Sequence, residues 1–228
     1  MDPKILAKYL DFANHHQNAT EGDIKKLCEK VVQYGFHSAF VNPYFVPLVK
    51  ELLQGKAATG TVVSFPLGQE SQEIKVASGL WAVQNGADEL DVSMNVGVFK
   101  EGHYKKVLEE MKAIVSSVKT AKNTILVKFI IETGCLTDDE IKKASELVLE
   151  ASADFVKTCS GMGPRGGTIH DVELIKSVVG DRIKIKVAGG VTNYQQTIDF
   201  INVGASRLGT SHAVEIVSNI SSSESTGE

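Results

Sequence analysis

One stretch of the chain contains a strand, a helix and a second strand, and it decides the fold. Residues 155–190 read FVKTCSGMGPRGGTIHDVELIKSVVGDRIKIKVAGG. Phe155–Val156 and Ile183–Val187 are short, largely apolar runs without strict polar alternation, which is typical of strands buried on both faces. Between them, Ile169–Val179 has apolar residues at three- and four-residue spacing, which predicts an amphipathic helix. The stretch therefore predicts a βαβ unit with two parallel strands.

The same alternation extends in both directions along the 228-residue chain. Further apolar runs lie at Tyr9–Phe12, Ser38–Val41, Thr61–Phe65, Glu89–Val92, Ile125–Ile131 and Arg207–Leu208. Amphipathic segments lie at Thr20–Tyr34, Tyr104–Val118 and Asp138–Ala151. Eight βα units of this size predict the α/β class and a single (β/α)8 TIM barrel over residues 1–220. A doubly wound open sheet is the alternative, although no GxGxxG motif follows a strand.

Composition narrows the class of protein. The chain is 43% hydrophobic and 23% charged, with a net charge of -4, which is typical of a globular domain. Nucleic acid is not an expected partner, because phosphate backbones require clustered positive charge. No apolar run reaches the roughly 20 residues of a membrane helix, so no membrane partner is expected. The polar residues 221–228 predict a disordered tail.

The cysteines and histidines do not form a recognisable metal motif. Cys28, Cys135 and Cys159 lie far apart without a CxxC pair, so we expect a reducing, cytoplasmic location and no structural zinc. His15 and His16 are adjacent, but the remaining histidines lack metal-ligand spacing. We therefore expect no metal and no cofactor.

Charged residues within the apolar runs are the first indication of chemistry. In (β/α)8 barrels the active site lies at the carboxyl ends of the strands. Lys157 and Lys186 end consecutive predicted strands, which lie about 5 Å apart in a sheet. Burial and a neighbouring cation both lower the pKa of a lysine, and a neutral lysine can form a Schiff base with a carbonyl. The alternative is that each lysine extends its ammonium group into water.

Three further charged residues occupy similar positions. Asp91 could relay protons beside Lys186, or it could simply neutralise a lysine inside the barrel. Lys128 could contact a substrate or pair with an acidic neighbour, and Asp11 lies in the first predicted strand. The sequence alone leaves these alternatives open.

Glycine-rich loops follow the last three strands. They span Thr158–Gly167, Ala188–Thr192 and Gly209–His212. Glycines allow backbone N–H groups to surround an anion, and phosphate sites in these barrels commonly use the last loops. One glycine pair alone often marks only a turn. Three such loops in succession favour a phosphorylated small-molecule ligand.

Six segments carry a resemblance to a known family. They are Val41-Asn42-Pro43, Phe65-Pro66-Leu67-Gly68, Asn85–Val92, Val127–Thr133, Ala153–Thr158 and Ile185–Gly190. The chain resembles the 2-deoxyribose-5-phosphate aldolase family, class I aldolases with a (β/α)8 barrel, from about Thr20 to Val217. The resemblance implies reversible cleavage of 2-deoxy-D-ribose 5-phosphate to acetaldehyde and D-glyceraldehyde 3-phosphate, without a metal or cofactor. It also implies a homodimer as one of the family's oligomeric states.

The resemblance also implies roles for individual residues. Lys157 is similar to the Schiff-base lysine, Lys186 to the lysine that perturbs it, and Asp91 to the acid/base residue that acts through water. The implied substrate-binding residues are Asp11, Lys128, Thr158, Gly161, Gly189, Gly190, Ser211 and His212.

The chain departs from the family pattern in one pocket segment. The family's usual His-Thr-Leu-Leu-Lys run is replaced by residues of Phe12–Gln17, and Tyr194 is the last tyrosine. We expect a slower enzyme as a result. Two alternatives stay open: a Schiff-base aldolase for another phosphorylated sugar, and a non-catalytic phosphosugar-binding barrel.

Overall fold

The eight predicted strands form a closed parallel barrel. In the computed structural model, which describes residues 1–224, each strand pairs with the next one and the last pairs with the first. The strands are β1 Leu10–Asn14, β2 Ser38–Val41, β3 Ala58–Val63, β4 Glu89–Ser93, β5 Leu126–Ile130, β6 Phe155–Lys157, β7 Lys184–Ala188 and β8 Arg207–Thr210. Leu10 of β1 is in register with Leu208 of β8, which closes the sheet. The TIM-barrel prediction is confirmed, and the open sheet is wrong.

Helices cover the outside of the barrel. They are α1 Pro3–Ala7, α2 Glu21–Tyr34, α3 Val46–Leu53, α4 Gln72–Gln84, α5 Val96–Lys100, α6 Tyr104–Ala121, α7 Asp138–Glu150, α8 Ile169–Val179, α9 Tyr194–Asn202 and α10 Ala213–Glu224. Capping boxes at Thr20, Thr137 and Thr168 start α2, α7 and α8, where each hydroxyl accepts a backbone N–H of the first turn. Within residues 1–224, no helix combines the length and the apolar character that a bilayer crossing requires.

One predicted strand requires correction. The third strand is Ala58–Val63 instead of Thr61–Phe65, because the backbone leaves the strand conformation at Ser64, where φ is 54°. Helix α10 extends to Glu224. The disordered tail over 221–228 stays a prediction, and residues 225–228 lie outside the described part of the chain.

The sheet separates two very different interiors. Apolar residues of the strands, such as Val92 and Leu208, pack with helix residues such as Ile24 and Ile114 in one buried cluster outside the barrel. Charged side chains of several strands occupy the inside of the barrel instead. The apolar layer provides the hydrophobic stabilisation, which leaves the barrel interior available for chemistry.

An aromatic ring fills the space beside a glycine inside the barrel. Phe40 of β2 is buried, and its Cα is in register with that of Gly60 in β3. A Cβ atom added to Gly60 would lie 2.2 Å from the Phe40 ring. The absence of a side chain at Gly60 therefore allows Phe40 to occupy the barrel interior.

We predict that Gly60→Ala destabilises the protein. The new methyl group would displace the Phe40 ring, and overpacking of this kind lowers the free energy of unfolding by about 1–3 kcal/mol. Urea unfolding followed by circular dichroism measures the change. Gly22→Ala is the matched control, because Gly22 lies in α2 and the nearest atom to an added Cβ is 3.6 Å away. Equal stability of Gly60→Ala and the wild type would show that Phe40 does not need this space.

Candidate active site

A cavity of about 230 Å³ lies at the carboxyl ends of the strands. Its lining includes Lys157 of β6, Lys186 of β7 and Asp91 of β4. The glycine-rich loops after β6, β7 and β8 form one side of the cavity, and residues that follow β1 form another part. Active sites of (β/α)8 barrels lie at this end, where the strands run into the loops that precede the helices.

At the floor of the cavity and below it, three carboxylates and three cations alternate in a closed ring of ion pairs, which we call the charge ring. Its members, in order, are Asp91, Lys186, Asp11, Arg207, Glu89 and Lys128. All six side chains are buried. Buried charges are tolerated when they are paired, and here each charged group has a partner on both sides.

The upper part of the charge ring is centred on Asp91. Its Oδ2 atom accepts a hydrogen bond from Lys186 Nζ at 2.8 Å, and its Oδ1 atom lies 3.1 Å from Lys128 Nζ. Lys186 Nζ also lies 2.6 Å from Asp11 Oδ2. Lys186 is therefore held between two carboxylates.

The lower part of the charge ring closes through Arg207. Its Nη1 atom donates to Asp11 Oδ1 at 2.9 Å and lies 3.3 Å from Glu89 Oε1. Lys128 Nζ donates to Glu89 Oε2 at 2.6 Å, which completes the ring. The Glu89 and Asp11 carboxylates also contact His37 and Ser38, so the lower part is firmly oriented.

Lys157 lies outside the charge ring and adds a fourth cation to it. Its Nζ atom donates to Asp91 Oδ2 at 2.8 Å, the same oxygen that Lys186 contacts. Asp91 is the one carboxylate within ion-pair distance of Lys157 among the described residues. Three carboxylates balance the three cations of the ring, so the charge of a protonated Lys157 is in excess. Loss of a proton from Lys157 would leave every carboxylate paired.

The ionisation of the buried groups follows from this arrangement. Burial alone would raise the pKa of Asp91, but Lys128, Lys157 and Lys186 outweigh it and hold that pKa well below its usual range. Burial lowers the pKa of Lys186, with Lys128 and Lys157 adding to the effect against Asp11 and Asp91. Lys128 differs, because its contacts with Asp91 and Glu89 overcome burial and raise its pKa.

Strand register explains why these side chains meet. The Cα atom of Lys157 is in register with that of Lys186, and Asp91 is in register with Lys128. Paired residues of neighbouring strands point to the same face of a sheet, which here is the inside of the barrel. The predicted proximity of the two lysines is confirmed.

Most of the predicted site residues line the cavity, and three do not. Those that line it are Asp91, Lys157, Lys186, Gly161, Gly189, Gly190, Ser211 and His212. Asp11 and Lys128 lie deeper, in the charge ring, and Lys128 is in the middle of β5 instead of at its end. Thr158 is buried, and its Oγ1 atom exchanges hydrogen bonds with the Ala188 backbone. These three residues are buried behind the residues that line the cavity.

Three further residues of the cavity lining had been given no catalytic or binding role. His15 and His16 follow β1 directly, and Phe40 ends next to Lys186, whose Nζ atom is 3.7 Å from the ring centroid. The resemblance had placed both histidines in the pocket segment Phe12–Gln17 without assigning them a role. Their position immediately after a strand was the signal that places them at the carboxyl end of the barrel.

The glycine-rich loops pack closely enough to require glycine. Gly161 and Gly189 have φ angles of 88° and 84°, a region that side chains disfavour. A Cβ atom added to Gly189 would lie 2.9 Å from the Gly166 Cα atom and 3.3 Å from that of Gly161. The loops after β6 and β7 therefore bring their backbones together at the cavity, where an anion could be bound.

One group of side chains has the composition of a metal site, but its charges disfavour a cation. Donor atoms of Asp11, His37 and Glu89 lie within 4.8 Å of one another. Both carboxylates already belong to the charge ring, where Arg207 contacts each of them. A metal ion there would compete with buried cations that cannot move away easily.

The fold and the cavity together define a (β/α)8-barrel enzyme in which buried amines face a small cavity with a glycine-rich rim. The chain belongs to the DeoC/LacD family of aldolases, whose family model matches residues 5–211. It is 44% identical to the deoxyribose-phosphate aldolase of Carboxydothermus hydrogenoformans, with 96% of both chains covered. It is 45% identical to that of Thermococcus gammatolerans, over 96% of this chain and 98% of the relative.

Solved structures agree with this family. The chain superposes on an aldolase named QR15 with a TM-score of 0.91 and 37% identity, over 98% of this chain and 99% of that one. It also matches the deoxyribose phosphate aldolase of Aeropyrum pernix, described as tetrameric, with a TM-score of 0.90 and 27% identity, over 97% and 93%.

We predict that Asp91→Asn destabilises the protein at neutral pH and reduces its sensitivity to acid. The pKa of Asp91 is lowered in the folded state, so its ionised form stabilises the fold above about pH 4, and this contribution is lost as the pH falls below that. Removing one partner of a buried ion pair costs about 3–5 kcal/mol. Urea unfolding between pH 3 and 7 measures both effects.

Asp139→Asn is the matched control, because Asp139 is exposed on α7. Its stability at neutral pH should equal that of the wild type, and its loss of stability in acid should be as steep. An Asp91→Asn variant with the acid profile of the wild type would contradict the interpretation of the charge ring.

Proposed function

We propose that the protein is a class I aldolase that reversibly cleaves 2-deoxy-D-ribose 5-phosphate to acetaldehyde and D-glyceraldehyde 3-phosphate. The observation that carries the proposal is the position of Lys157, an amine outside the balanced charge ring and on the cavity surface. Two relatives with 44–45% identity over nearly the whole chain are named deoxyribose-phosphate aldolases, which supports the same reaction.

Lys157 is the nucleophile of this reaction. Its neutral amine attacks carbon 1 of the open-chain sugar, and loss of water leaves a cationic iminium. The electron pair of the bond between carbons 2 and 3 moves toward the iminium, which becomes an enamine. The hydroxyl on carbon 3 loses its proton and becomes the aldehyde of glyceraldehyde 3-phosphate. Protonation of the enamine at carbon 2 and hydrolysis release acetaldehyde and restore Lys157.

Asp91 and Lys186 assist the proton transfers at oxygen. Lys186 carries donor protons next to Asp91, and burial together with its cationic neighbours lowers its pKa, which makes it a better acid than an ordinary lysine. Asp91 keeps Lys186 and Lys157 at one carboxylate oxygen. The pair could therefore protonate the leaving hydroxyl during dehydration and, through water, accept the proton from the hydroxyl on carbon 3.

The glycine-rich rim binds the phosphate of the substrate. Gly161, Gly189 and Gly190 line the cavity, and Ser211 adds a hydroxyl next to them. Backbone N–H groups and hydroxyls recognise phosphate through charge-assisted hydrogen bonds. His212 lines the same region, and its Nδ1 atom is 3.2 Å from Ser211 Oγ. This arrangement directs the aldehyde end of the sugar toward the lysines.

A homodimer and a cytoplasmic location are also part of the proposal. The tetrameric structure described for the Aeropyrum pernix relative supports self-association. The lower activity expected from the altered Phe12–Gln17 segment likewise stays a prediction.

We predict that borohydride reduction in the presence of acetaldehyde leaves an ethyl group on Lys157. Reduction traps the iminium, and peptide mass spectrometry locates it. Lys157→Ala should abolish the adduct, whereas Lys184→Ala should retain it, because Lys184 is exposed at the start of β7. An adduct on Lys186 would reverse the two lysine roles. No adduct with the wild type would favour the non-catalytic phosphosugar-binding barrel.

We predict that activity depends strongly on the substrate phosphate. Two charge-assisted hydrogen bonds of about 1.5–3 kcal/mol each correspond to a loss of at least about a hundredfold in kcat/KM for 2-deoxyribose. Acetaldehyde release, coupled to an alcohol dehydrogenase, measures both substrates. Ser211→Ala should reduce the preference for the phosphorylated sugar, and the exposed Ser177→Ala should not. Equal rates on both sugars would contradict a phosphate site at this rim.

A further inference from the structure

The glycine-rich loop after β6, Thr158–Gly167, forms part of the cavity rim, and we call it the β6 loop. It lies between β6 and α8 and contains four glycines. Residues 161–165 in its middle are exposed. Glycines lose more conformational freedom than other residues when a chain becomes ordered. A rim of fixed shape therefore requires contacts that hold the β6 loop on the rest of the barrel.

The side chain of Arg165 holds the end of the β6 loop through four hydrogen bonds. Its guanidinium group binds the Asp171 carboxylate in the first turn of α8, with Nη1 donating to Oδ2 at 2.5 Å and Nη2 donating to Oδ1 at 2.9 Å. Such a bidentate pair fixes the geometry of both side chains. Nη1 also donates to the Gly166 carbonyl oxygen, and Nη2 donates to that of Thr133, after β5. We call Arg165 and Asp171 together the arginine clamp.

Asp171 is the fixed half of the arginine clamp. Its carboxylate is fully buried, and Oδ2 also accepts hydrogen bonds from Thr133 Oγ1 and from the Thr168 backbone N–H, each at 2.9 Å. Burial alone would raise the pKa of Asp171, but the hydrogen bonds that the carboxylate accepts, first those from Arg165, outweigh burial and lower that pKa. The clamp therefore joins the β6 loop to an ionised carboxylate on α8.

The arginine clamp lies next to the backbone that forms the cavity rim. Gly166 follows Arg165, and a Cβ atom added to Gly166 would lie 2.1 Å from the Gly189 carbonyl oxygen. The Gly167 N–H donates to the Ala188 carbonyl oxygen at 3.2 Å. Ala188 and Gly189 line the cavity, and Arg165 lies outside that lining. Loss of the Arg165 side chain would therefore disturb the rim without removing a group that touches the substrate.

The beginning of the β6 loop has an anchor of its own. Glu132 lies after β5, and its Oε2 atom accepts a hydrogen bond from the Ser160 backbone N–H at 3.1 Å. A Cβ atom added to Gly163 would lie 2.6 Å from Glu132 Oε1, so the middle of the loop packs directly on this carboxylate. The beginning and middle of the loop thus rest on Glu132, and its end depends on Arg165.

We propose that Arg165 is a positioning residue that determines the affinity of the cavity for the substrate phosphate, because the arginine clamp holds the β6 loop against Gly189. This role rests on the proposed cleavage of 2-deoxy-D-ribose 5-phosphate and on the phosphate site at the glycine-rich rim. Groups that bind a ligand must be held within about 0.5 Å of the productive geometry. The reacting carbons lie at Lys157 on the other side of the cavity, so the clamp should affect binding of the phosphate and leave the chemical step unchanged.

Arg165→Met tests this role by comparing two sugars. We expect KM for 2-deoxyribose 5-phosphate to rise between about tenfold and a hundredfold, the usual cost of misplacing a positioned group, with kcat retained. The kcat/KM for 2-deoxyribose, which has no phosphate, should equal that of the wild type. The inhibition constant of inorganic phosphate, a competitor for the rim, should rise by a similar factor. Acetaldehyde release, coupled to an alcohol dehydrogenase, measures all three quantities.

Matched variants separate the arginine clamp from charge and stability. Arg165→Lys keeps a cation beside Asp171 without the fork of donors, so its KM should be intermediate, and it decides the test if Arg165→Met does not fold. The double variant Arg165→Met/Asp171→Asn removes the unpaired buried charge and should keep the raised KM. Arg182→Met is the control, because Arg182 is exposed and donates to backbone carbonyls at the end of α8. Its KM should equal that of the wild type.

The other outcomes have different meanings. A wild-type KM for the phosphorylated sugar in Arg165→Met would overturn the proposal. An equal loss of kcat/KM on both sugars would also overturn it, because Arg165 would then serve the fold as a whole. Recovery of the wild-type KM in the double variant would assign the effect to the unpaired charge of Asp171 and overturn the clamp as its cause. Absence of acetaldehyde release by the wild type would instead refute the proposed aldolase reaction itself.

Discussion

The alternation of charge around Asp91 is the constraint on which the rest of the site depends. Three carboxylates and three cations form a closed ring inside the barrel, and Lys157 adds one cation to it. Buried ion pairs gain little net stability, but an incomplete set is strongly unfavourable. The ring therefore holds every member in place, while the neutral state of the one additional amine is compatible with full pairing. The same electrostatics orients Lys157 at the cavity surface.

The barrel can hold these charges because its sheet separates the apolar layer beneath the helices from the charged interior. Apolar residues between the strands and helices supply the hydrophobic stabilisation, so the inner face of the sheet can carry charge. Phe40 fills much of the remaining space, helped by Gly60, and its ring lies against Lys186. The carboxyl ends of the strands then open into a small cavity whose floor is charged and whose rim is built from glycine-rich backbone.

The sequence predicted the charged residues of the cavity lining better than those below it. Lys157, Lys186 and Asp91 were identified because charged residues within apolar strands are unusual. Lys128 and Asp11 showed the same signal, and the sequence could not distinguish a side chain on the cavity surface from one below it. That distinction depends on depth along the barrel axis, which strand register and tilt determine. The sequence did not predict that Arg207 and Glu89 belong to the charge ring, because their ion-pair partners are distant in sequence.

His15 also shows that the sequence alone does not determine the surroundings of a side chain. The sequence placed it in the pocket segment Phe12–Gln17 without a role, and the structure places its ring against Phe65 and in the cavity with Lys157. The amino-acid sequence by itself determined the barrel, its eight strands and the lysine pair, because hydrophobic periodicity and strand ends are local properties. Only the tertiary structure decided which charges close into a ring and which amine is left over, because these depend on contacts between strands far apart in the chain.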